Sequence, residues 1–355
     1  MKLLKFNTAI LILILAFGLS LRVYKLDSVP PGLTWDEAAL GYNAYSLSKT
    51  FKDEYGFFLP LTLKSFGDYK PALYAYLDIP FVMLLGLNEW AVRLPSALAG
   101  VGFIIVCFLL VKEVFKNVRL SLSVAFFASI SSLSIQFSRA GFESNVAVFL
   151  NVLGLYFFVK GLKSAKFFYF SSTAFILSML CYQASKMFVP IILIGLFLFF
   201  RKQARLGKQL YISAAVVVIA GLGIYMSTFL FGQSDRLATQ NVFAYRRDQL
   251  QIDLIAKESG LGPGSFVFEV LHGEWWAFTR GLLERYLVYF SPDTLFIEGD
   301  YSPRYNAPES GIVKYYAAIF LPSGFICFGG KKNRRKKSFC FGFLQPQFRQ
   351  CSREI

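Results

Sequence analysis

Long apolar runs separated by short basic clusters dominate the pattern of this chain. Runs long enough to cross a bilayer as helices occur about eight times. They lie at the N-terminus and near residues 91–111, 120–137, 144–160, 166–181, 185–200, 209–231 and 312–329. Arg22 and Lys25 follow the first run where a cleaved signal peptide would carry small residues, so this run predicts an uncleaved helix. The pattern as a whole predicts an all-α polytopic membrane protein.

The basic clusters alternate along the chain and indicate its orientation. They lie at residues 112–119, 160–166, 201–208 and 331–337. Because short cytoplasmic loops are enriched in Lys and Arg, we assign these clusters and the N-terminus to the cytoplasm. Two large loops, at about residues 24–90 and 232–311, then lie outside the membrane.

The segment at residues 70–86 is apolar enough to cross the membrane, but a crossing here would break the alternation of basic clusters. We therefore predict a juxtamembrane helix in the outer interface, interrupted at Pro80.

Composition agrees with a membrane protein and narrows the chemistry. Hydrophobic residues make up 55% of the 355 positions, and charged residues make up 17%. The net charge of +15 follows from the cytoplasmic clusters, so nucleic acid is not an expected partner. His272 is the single histidine and the five cysteines are scattered, so neither a zinc site nor a histidine-dependent nucleophile is expected. A general base would be a carboxylate.

Two adjacent acids open the first outer loop, in the stretch TWDE at residues 34–37. The stretch fits a capping box, with Thr34 as N-cap and Glu37 at the third helical position. Apolar positions continue at helical spacing at Leu40, Ala44, Leu47 and Phe51. Local helix capping therefore accounts for both acids without any catalytic role.

A catalytic role becomes plausible through Lys70, which lies in the same loop as Asp36. Ionisable groups at membrane level are costly unless they are paired or used. An acid beside a cation at headgroup level suits the displacement of a lipid-linked phosphate by an acceptor hydroxyl: the acid orients or deprotonates the hydroxyl, and the cation holds the leaving phosphate.

Several stretches together resemble the multi-span GT-C-type glycosyltransferases, which include protein O-mannosyltransferases and the bacterial lipid A aminoarabinose transferase. The similar stretches are TWDEAALGYNAYSL, FGDYKPALYAYLDIP, GLNEWAVRLPSALAG, FSRAGFESNVAVFLNVLGLYFFVKGL and YFSPDTLFIEGDYSPRYNAPESGIVKYYAAIFLP. The resemblance covers residues 1–330 and implies a GT-C fold with one membrane-embedded module.

The resemblance also implies roles for individual residues. Asp36 corresponds to the catalytic carboxylate, Lys70 to a ligand of the donor phosphate, and Glu143 to an acid that supports the site. Glu37 joins this catalytic group, with capping, acceptor binding or a divalent ion as its alternatives. Because Tyr69 stands where the aminoarabinose transferase carries an acid, no metal ligand is assigned, and a divalent cation is left open as a cofactor.

Arginines are the expected further ligands of the donor phosphate. We select Arg304 and Arg139; Arg246, Arg247 and Arg285 are the other arginines considered in the late loop. Two of the site residues also have alternative roles that involve no substrate. Lys70 could snorkel at the interface, and Glu143 could pair with Arg139 on one helix face.

The resemblance implies inverting transfer of a sugar from a polyprenyl-phosphate donor. The acceptor would be a hydroxyl or phosphate of a protein, lipid or glycan on the outer face of a bacterial plasma membrane. A flippase or transporter of lipid-linked glycans is the alternative, although the chain has no matching Gly/Pro-broken helices. A non-catalytic scaffold would need the acids only for capping. A soluble nucleotide-sugar enzyme is excluded because no Gly-rich loop follows a strand.

The last segment, residues 331–355, forms a basic cytoplasmic tail with no further span. Since relatives continue with more helices, we expect a truncation or frameshift here, with a short natural tail as the alternative.

Overall fold

The computed structural model describes residues 2–65, 68–200, 208–230, 249–299 and 311. The chain divides into two compact units, Met1–Leu287 and Val288–Ile355. The predicted span at 312–329 and the tail at 331–355 lie outside the described residues. The proposed boundaries of the module and its loops stay a prediction.

Helices make up nearly all of the first unit. In chain order the elements are α1 (Lys2–Val23), α2 (Trp35–Thr50), β1 (Thr62–Ser65), β2 (Asp68–Pro71), α3 (Leu73–Leu85), α4 (Glu89–Phe115), α5 (Val118–Ile130), α6 (Ser132–Ser138), α7 (Glu143–Gly161), α8 (Phe167–Cys181), α9 (Gln183–Phe200), α10 (Lys208–Leu230), α11 (Gln249–Ser259), α12 (Phe266–His272) and α13 (Glu274–Val288). In the second unit, one π-helical turn covers Asp293–Ile297. The all-α prediction is confirmed, apart from the small β1–β2 hairpin that it did not include.

Five of the described helices are long and apolar enough to cross a membrane: α1, α4, α7, α9 and α10. The pair α5 and α6 forms a sixth candidate, bent by 58°. Helix α8 is apolar but has only 15 residues. The polytopic architecture is therefore confirmed, and the count of eight spans stays a prediction.

The bend between α5 and α6 has a visible cause. Ser131 adopts an extended conformation and caps α6, so the last carbonyl groups of α5 lose their helical partners. Arg22, buried at the end of α1, donates hydrogen bonds to the carbonyls of Ser129 (3.1 Å) and Ala128 (3.3 Å) and to Ser134 Oγ (2.8 Å). The guanidinium thus satisfies the polar groups that the break exposes.

The core around the first loop joins α2, α3, α4 and α7. Leu40, Ala44 and Leu47 of α2 are buried there with Tyr74 of α3 and Ala91 of α4. The helical spacing read from the sequence is thus confirmed for the three α2 positions. Phe51 is the exception: it ends α2 in a left-handed conformation (φ 58°) and is 60% exposed.

The segment after the hairpin forms α3, a helix of 13 residues that is too short to span a bilayer. Pro80 lies inside this helix, so the predicted interruption is wrong. Tyr74 and Ala75 before the proline and Val82 after it are buried. Although the proline lacks the N–H that would donate a helical hydrogen bond, this packing keeps the helix continuous. Its outward face carries Leu77, Pro80 and Leu84, which are exposed.

Candidate functional site

Asp36 and Lys70 form an ion pair, although they lie 34 positions apart. Asp36 is the second residue of α2, and Lys70 lies on β2, opposite the buried Leu63 of β1. The side chain of Lys70 is 11% exposed and that of Asp36 is 24% exposed. The hairpin therefore brings the amine to the first turn of α2, and solvent still reaches the carboxylate.

The hairpin is also tied to the membrane helices. The Gln183 side chain, at the start of α9, donates a hydrogen bond to the backbone carbonyl of Tyr69 (3.2 Å), next to Lys70. Snorkelling as the sole role of Lys70 does not fit, because its amine is committed to a carboxylate rather than to the bulk interface.

Glu37 has different surroundings from its neighbour, because its side chain is buried and its oxygens are engaged. Oε2 accepts a hydrogen bond from the Thr34 amide (2.9 Å), and Thr34 Oγ1 accepts one from the Glu37 amide (3.3 Å). The capping box is thus confirmed. Oε1 accepts from Arg93 Nε and from the Gly141 amide, both at 2.9 Å. We call these four residues the Glu37 junction.

The junction keeps Glu37 ionised. Burial alone would raise the pKa of this carboxyl, but hydrogen bonds from Arg93, Thr34 and Gly141 and the charge of Arg93 outweigh it and lower the pKa. Acceptor or cation binding by Glu37 stays a prediction, and both of its oxygens already accept hydrogen bonds. Within the described ranges, no three His, Cys, Asp or Glu side chains gather as a metal site.

Arg93 of α4 is a site residue that the sequence analysis did not single out. It is fully buried, and besides Glu37 it donates hydrogen bonds to the carbonyls of Leu26 (2.8 Å), Pro30 (3.0 Å) and Gly32. One guanidinium thus fixes the path of the loop that leads into α2. The signal was available, since an arginine near the start of an apolar run marks a candidate functional position.

The turn between α6 and α7 carries the other two predicted residues. Glu143 is the first residue of α7 and is half-buried. Arg139 follows the end of α6 and donates hydrogen bonds to the carbonyls of Leu21 (2.9 Å), Lys25 (3.3 Å) and Val29 (2.9 Å). The alternative of a helical Arg139–Glu143 pair is wrong, because Arg139 lies in the turn after α6 and Glu143 begins α7. Phosphate binding by Arg139 stays a prediction, and its hydrogen bonds already hold the end of α1 and the α1–α2 loop.

The α1–α2 loop, α4 and the α6–α7 turn therefore meet at Glu37, the residue that follows Asp36. The α1–α2 loop is held by Arg93 and Arg139, and the α6–α7 turn reaches the junction through Gly141. A Cβ atom on Gly141 would lie 3.1 Å from Glu37 Cγ, so this approach leaves little room for a side chain. The buried, hydrogen-bonded Glu37 junction thus supports an accessible acid, Asp36, and an adjacent cation, Lys70. This arrangement suits acid-base chemistry on a substrate that carries a negative charge.

The arginines predicted in the late loop do not belong to the described part of this site. Arg304, Arg246 and Arg247 lie outside the described residues, and so does the side chain of Arg285. Their phosphate-binding role stays a prediction.

Comparisons with known proteins agree with the resemblance noted in the sequence. The family model for dolichyl-phosphate-mannose-protein mannosyltransferase matches residues 69–227. This segment includes Lys70, Arg93 and Glu143 and begins after Asp36. "Putative mannosyltransferase YycA" of Bacillus subtilis (strain 168) is 25% identical over 158 residues, which are 44% of this chain and 23% of that protein.

Solved structures that are similar to this chain include the following two. The apo oligosaccharyltransferase of Archaeoglobus fulgidus aligns with a TM-score of 0.52 and 17% identity, over 94% of this chain and 46% of that chain. Apo ArnT of Cupriavidus metallidurans aligns with a TM-score of 0.47 and 14% identity, over 70% of this chain and 44% of that chain. The chain thus spans less than half the length of the relatives that it matches. The archaeal likeness confirms the GT-C fold.

Proposed function

We propose that this chain, a GT-C-type membrane protein related to the dolichyl-phosphate-mannose-protein mannosyltransferases, transfers a sugar from a polyprenyl-phosphate donor to an acceptor hydroxyl or phosphate. The acceptor belongs to a protein, a lipid or a glycan. The site faces the outer side of a bacterial plasma membrane, with the N-terminus in the cytoplasm. The observation that carries the proposal is the Asp36–Lys70 ion pair at the start of α2.

The two members of the pair divide the reaction between them. The acceptor hydroxyl attacks the anomeric carbon from the face opposite the phosphate, and the bond from that carbon to the phosphate oxygen breaks. Asp36 accepts the hydroxyl proton, and Lys70 stabilises the departing lipid phosphate. The configuration at the anomeric carbon inverts, because one displacement occurs.

The contact between Asp36 and Lys70 suggests an order of events. In the described structure the amine neutralises the carboxylate that would act as base. The donor phosphodiester carries one negative charge, as the carboxylate does, and gains a second as its bond to the sugar breaks, so it competes with the carboxylate for the amine. Donor binding would therefore draw Lys70 onto the phosphate and expose the Asp36 oxygen to the acceptor.

The comparisons support a lipid-linked sugar donor, since the matching family model is named for dolichyl-phosphate-mannose as donor and the bacterial relative is named as a mannosyltransferase. Mannose is thus the first sugar to test. A flippase of lipid-linked glycans is the competing function, because it would also present charged groups beside the membrane. It would not need Asp36 as a base.

The test is sugar transfer in membranes that contain the full chain, with radiolabelled polyprenyl-phosphate mannose and other sugars as donors. Wild type is compared with Asp36→Asn at matched expression. Asp27→Asn is the control, because Asp27 is an exposed acid in the same loop. We expect transfer by wild type and the control and its loss in Asp36→Asn. Equal transfer in all three removes Asp36 from the mechanism, and donor translocation by all three with sugar transfer by none favours the flippase.

A further inference from the structure

The connection between α2 and β1 displays an unusual set of side chains. We call residues 51–61 the apolar finger. Six of its large hydrophobic residues are between 46% and 68% exposed: Phe51, Tyr55, Phe57, Phe58, Leu59 and Leu61. Scattered exposed apolar residues are normal on protein surfaces, but six in eleven consecutive positions form a patch that marks an interaction surface.

The shape of the finger is specified by its own polar groups. The buried Asp53 accepts hydrogen bonds at Oδ1 from the amides of Tyr55 (3.0 Å) and Phe57 (2.8 Å). Gly56 and Leu59 both adopt positive φ angles, of 88° and 41°. A left-handed conformation is unfavourable for a leucine. The fold maintains this conformation although Leu59 is left 46% exposed, so the turn displays apolar surface instead of burying it.

Part of the backbone of the finger is hydrogen-bonded within the protein. The Asp53 amide donates a hydrogen bond to the Phe57 carbonyl (3.0 Å), the Leu59 amide to the Phe51 carbonyl (2.9 Å), and the Gly56 amide to the Asp53 carbonyl (3.1 Å). The amide of Glu54 bonds to Asn43 Oδ1 (3.0 Å). Because these amides are paired within the protein, fewer backbone groups of the finger need water, which lowers the cost of bringing it into contact with lipid.

The base of the finger joins a second apolar surface. Tyr76 of α3 donates a hydrogen bond to the carbonyl of Pro60 (2.9 Å), so the finger is fixed to the first turn of α3. The outward face of α3 continues with Leu77 and then Met83 and Leu84, which are 68% and 82% exposed. The finger therefore extends an apolar surface of the membrane protein instead of forming an isolated patch.

Lysines surround the finger. Lys64 lies over the Tyr55 ring at 5.3 Å, Lys49 lies over the Tyr45 ring at 5.9 Å, and Lys52 is exposed beside the tip. Aromatic rings with lysines at their edge are typical of the membrane interface, where the rings enter the headgroup region and the amines meet lipid phosphates. This charge favours a lipid surface over a neutral or basic polypeptide as the occupant.

From these observations we infer that the apolar finger inserts into the lipid leaflet on the side of the first loop, with Phe57, Phe58 and Leu61 below the headgroups and its lysines at their phosphates. The inference does not require the proposed sugar transfer. It bears on the site, because the finger is the connection between α2, which carries Asp36, and the hairpin, which carries Lys70. Its depth would fix the ion pair at headgroup level.

The test measures the depth of single nitroxide labels in the full chain, reconstituted in vesicles of phosphatidylcholine and phosphatidylglycerol. The five cysteines are first replaced, and the parent must keep its melting temperature. Three variants are labelled: Phe58→Cys in the tip, Lys52→Cys at its edge, and Ile219→Cys as a lipid-facing reference in α10, where Ile219 is 69% exposed. Power saturation compares collisions with oxygen, which concentrates in lipid, and with a nickel chelate, which stays in water.

We expect the oxygen-to-nickel collision ratio at position 58 to approach that at position 219 and to exceed that at position 52. A ratio at 58 equal to that at 52, with high nickel access, would overturn the inference and leave the finger as a surface for a water-soluble acceptor. Low access to both reagents at 58 would also overturn it, because protein would then cover the tip.

Discussion

Arg93 Nε donates a hydrogen bond to Glu37 Oε1 at 2.9 Å across 56 positions of sequence, and solvent reaches almost nothing of either side chain (0% and 1% exposed). Removing two charges from water costs several kcal/mol for each ion. The pair is stable because every neighbouring group contributes hydrogen bonds: carbonyls of residues 26–32 for the guanidinium, and the amides of Thr34 and Gly141 for the carboxylate. Asp36 lies between Thr34 and Glu37 in the sequence, so the Arg93–Glu37 pair sets the position of the proposed base.

Glu37→Gln is expected to damage both stability and activity. The substitution leaves the Arg93 charge buried without its anion, which typically costs about 3–5 kcal/mol. We expect a lower melting temperature in detergent and a lower kcat for sugar transfer, since Asp36 loses its support. Asp27→Asn, which changes an exposed acid in the same loop, is the control. If Glu37→Gln and the control have the same melting temperature, the junction does not stabilise the fold.

Lys70→Met should weaken donor binding more than it weakens folding. The amine is the proposed ligand of the donor phosphate, so we expect a higher KM for the donor, and Lys70→Arg should restore part of the affinity because it keeps the charge. Lys64→Met is the matched control, since Lys64 lies on the adjacent strand of the same hairpin and contacts Tyr55 instead of Asp36. A wild-type KM in both Lys70→Met and Lys64→Met would exclude Lys70 as a phosphate ligand.

The sequence was most informative where local chemistry decides the structure. The capping box at Thr34 and Glu37 needs only the spacing of the two residues. The burial of Leu40, Ala44 and Leu47 follows from the helical repeat of their apolar positions. The contact between Asp36 and Lys70 could be expected because two charges in one membrane-side loop tend to pair. These features needed no information about the rest of the fold.

Features that depend on distant partners were not predictable in the same way. Pro80 would end an isolated helix, but packing on both sides of it keeps α3 intact. The β1–β2 hairpin has four residues in each strand and no typical turn sequence that would have revealed it. The role of Arg93 requires three carbonyl groups from another segment to gather around it, and a sequence pattern does not report such a convergence.

Arg22→Met is expected to destabilise the bent α5–α6 segment. The guanidinium uses all of its donor positions, including bonds to Gly18 (3.0 Å) and Ser138 (3.3 Å) as well as the carbonyls at the break. Each buried carbonyl left without a partner costs about 1–3 kcal/mol. We expect a clear drop in melting temperature, and faster proteolysis near residue 131. Arg119→Met, at an exposed arginine of α5, should melt like wild type; an Arg22→Met protein that does the same would contradict this account.

Asp78 provides a prediction on pH. This α3 side chain is fully buried, and neither carboxylate oxygen has a hydrogen-bond partner within the described structure. Burial, together with the negative charge of Glu37, raises the pKa of the Asp78 carboxyl well above its usual 3.8. The folded protein therefore keeps this proton at pH values at which the unfolded chain has released it.

The sign of the effect follows from that difference in bound protons. Asp78 contributes its full stability below pH 3.8, the unfolded value, and this contribution is lost as the pH rises towards the higher folded pKa. Within that window the free energy of unfolding falls by at most about 1.4 kcal/mol per pH unit from this group. Asp78→Asn should reduce the dependence of the melting temperature on pH, measured from pH 5 to pH 9. Asp27→Asn, which changes an exposed acid, should keep the wild-type dependence. If the Asp78→Asn and wild-type profiles stay parallel, Asp78 does not carry a proton in the folded state.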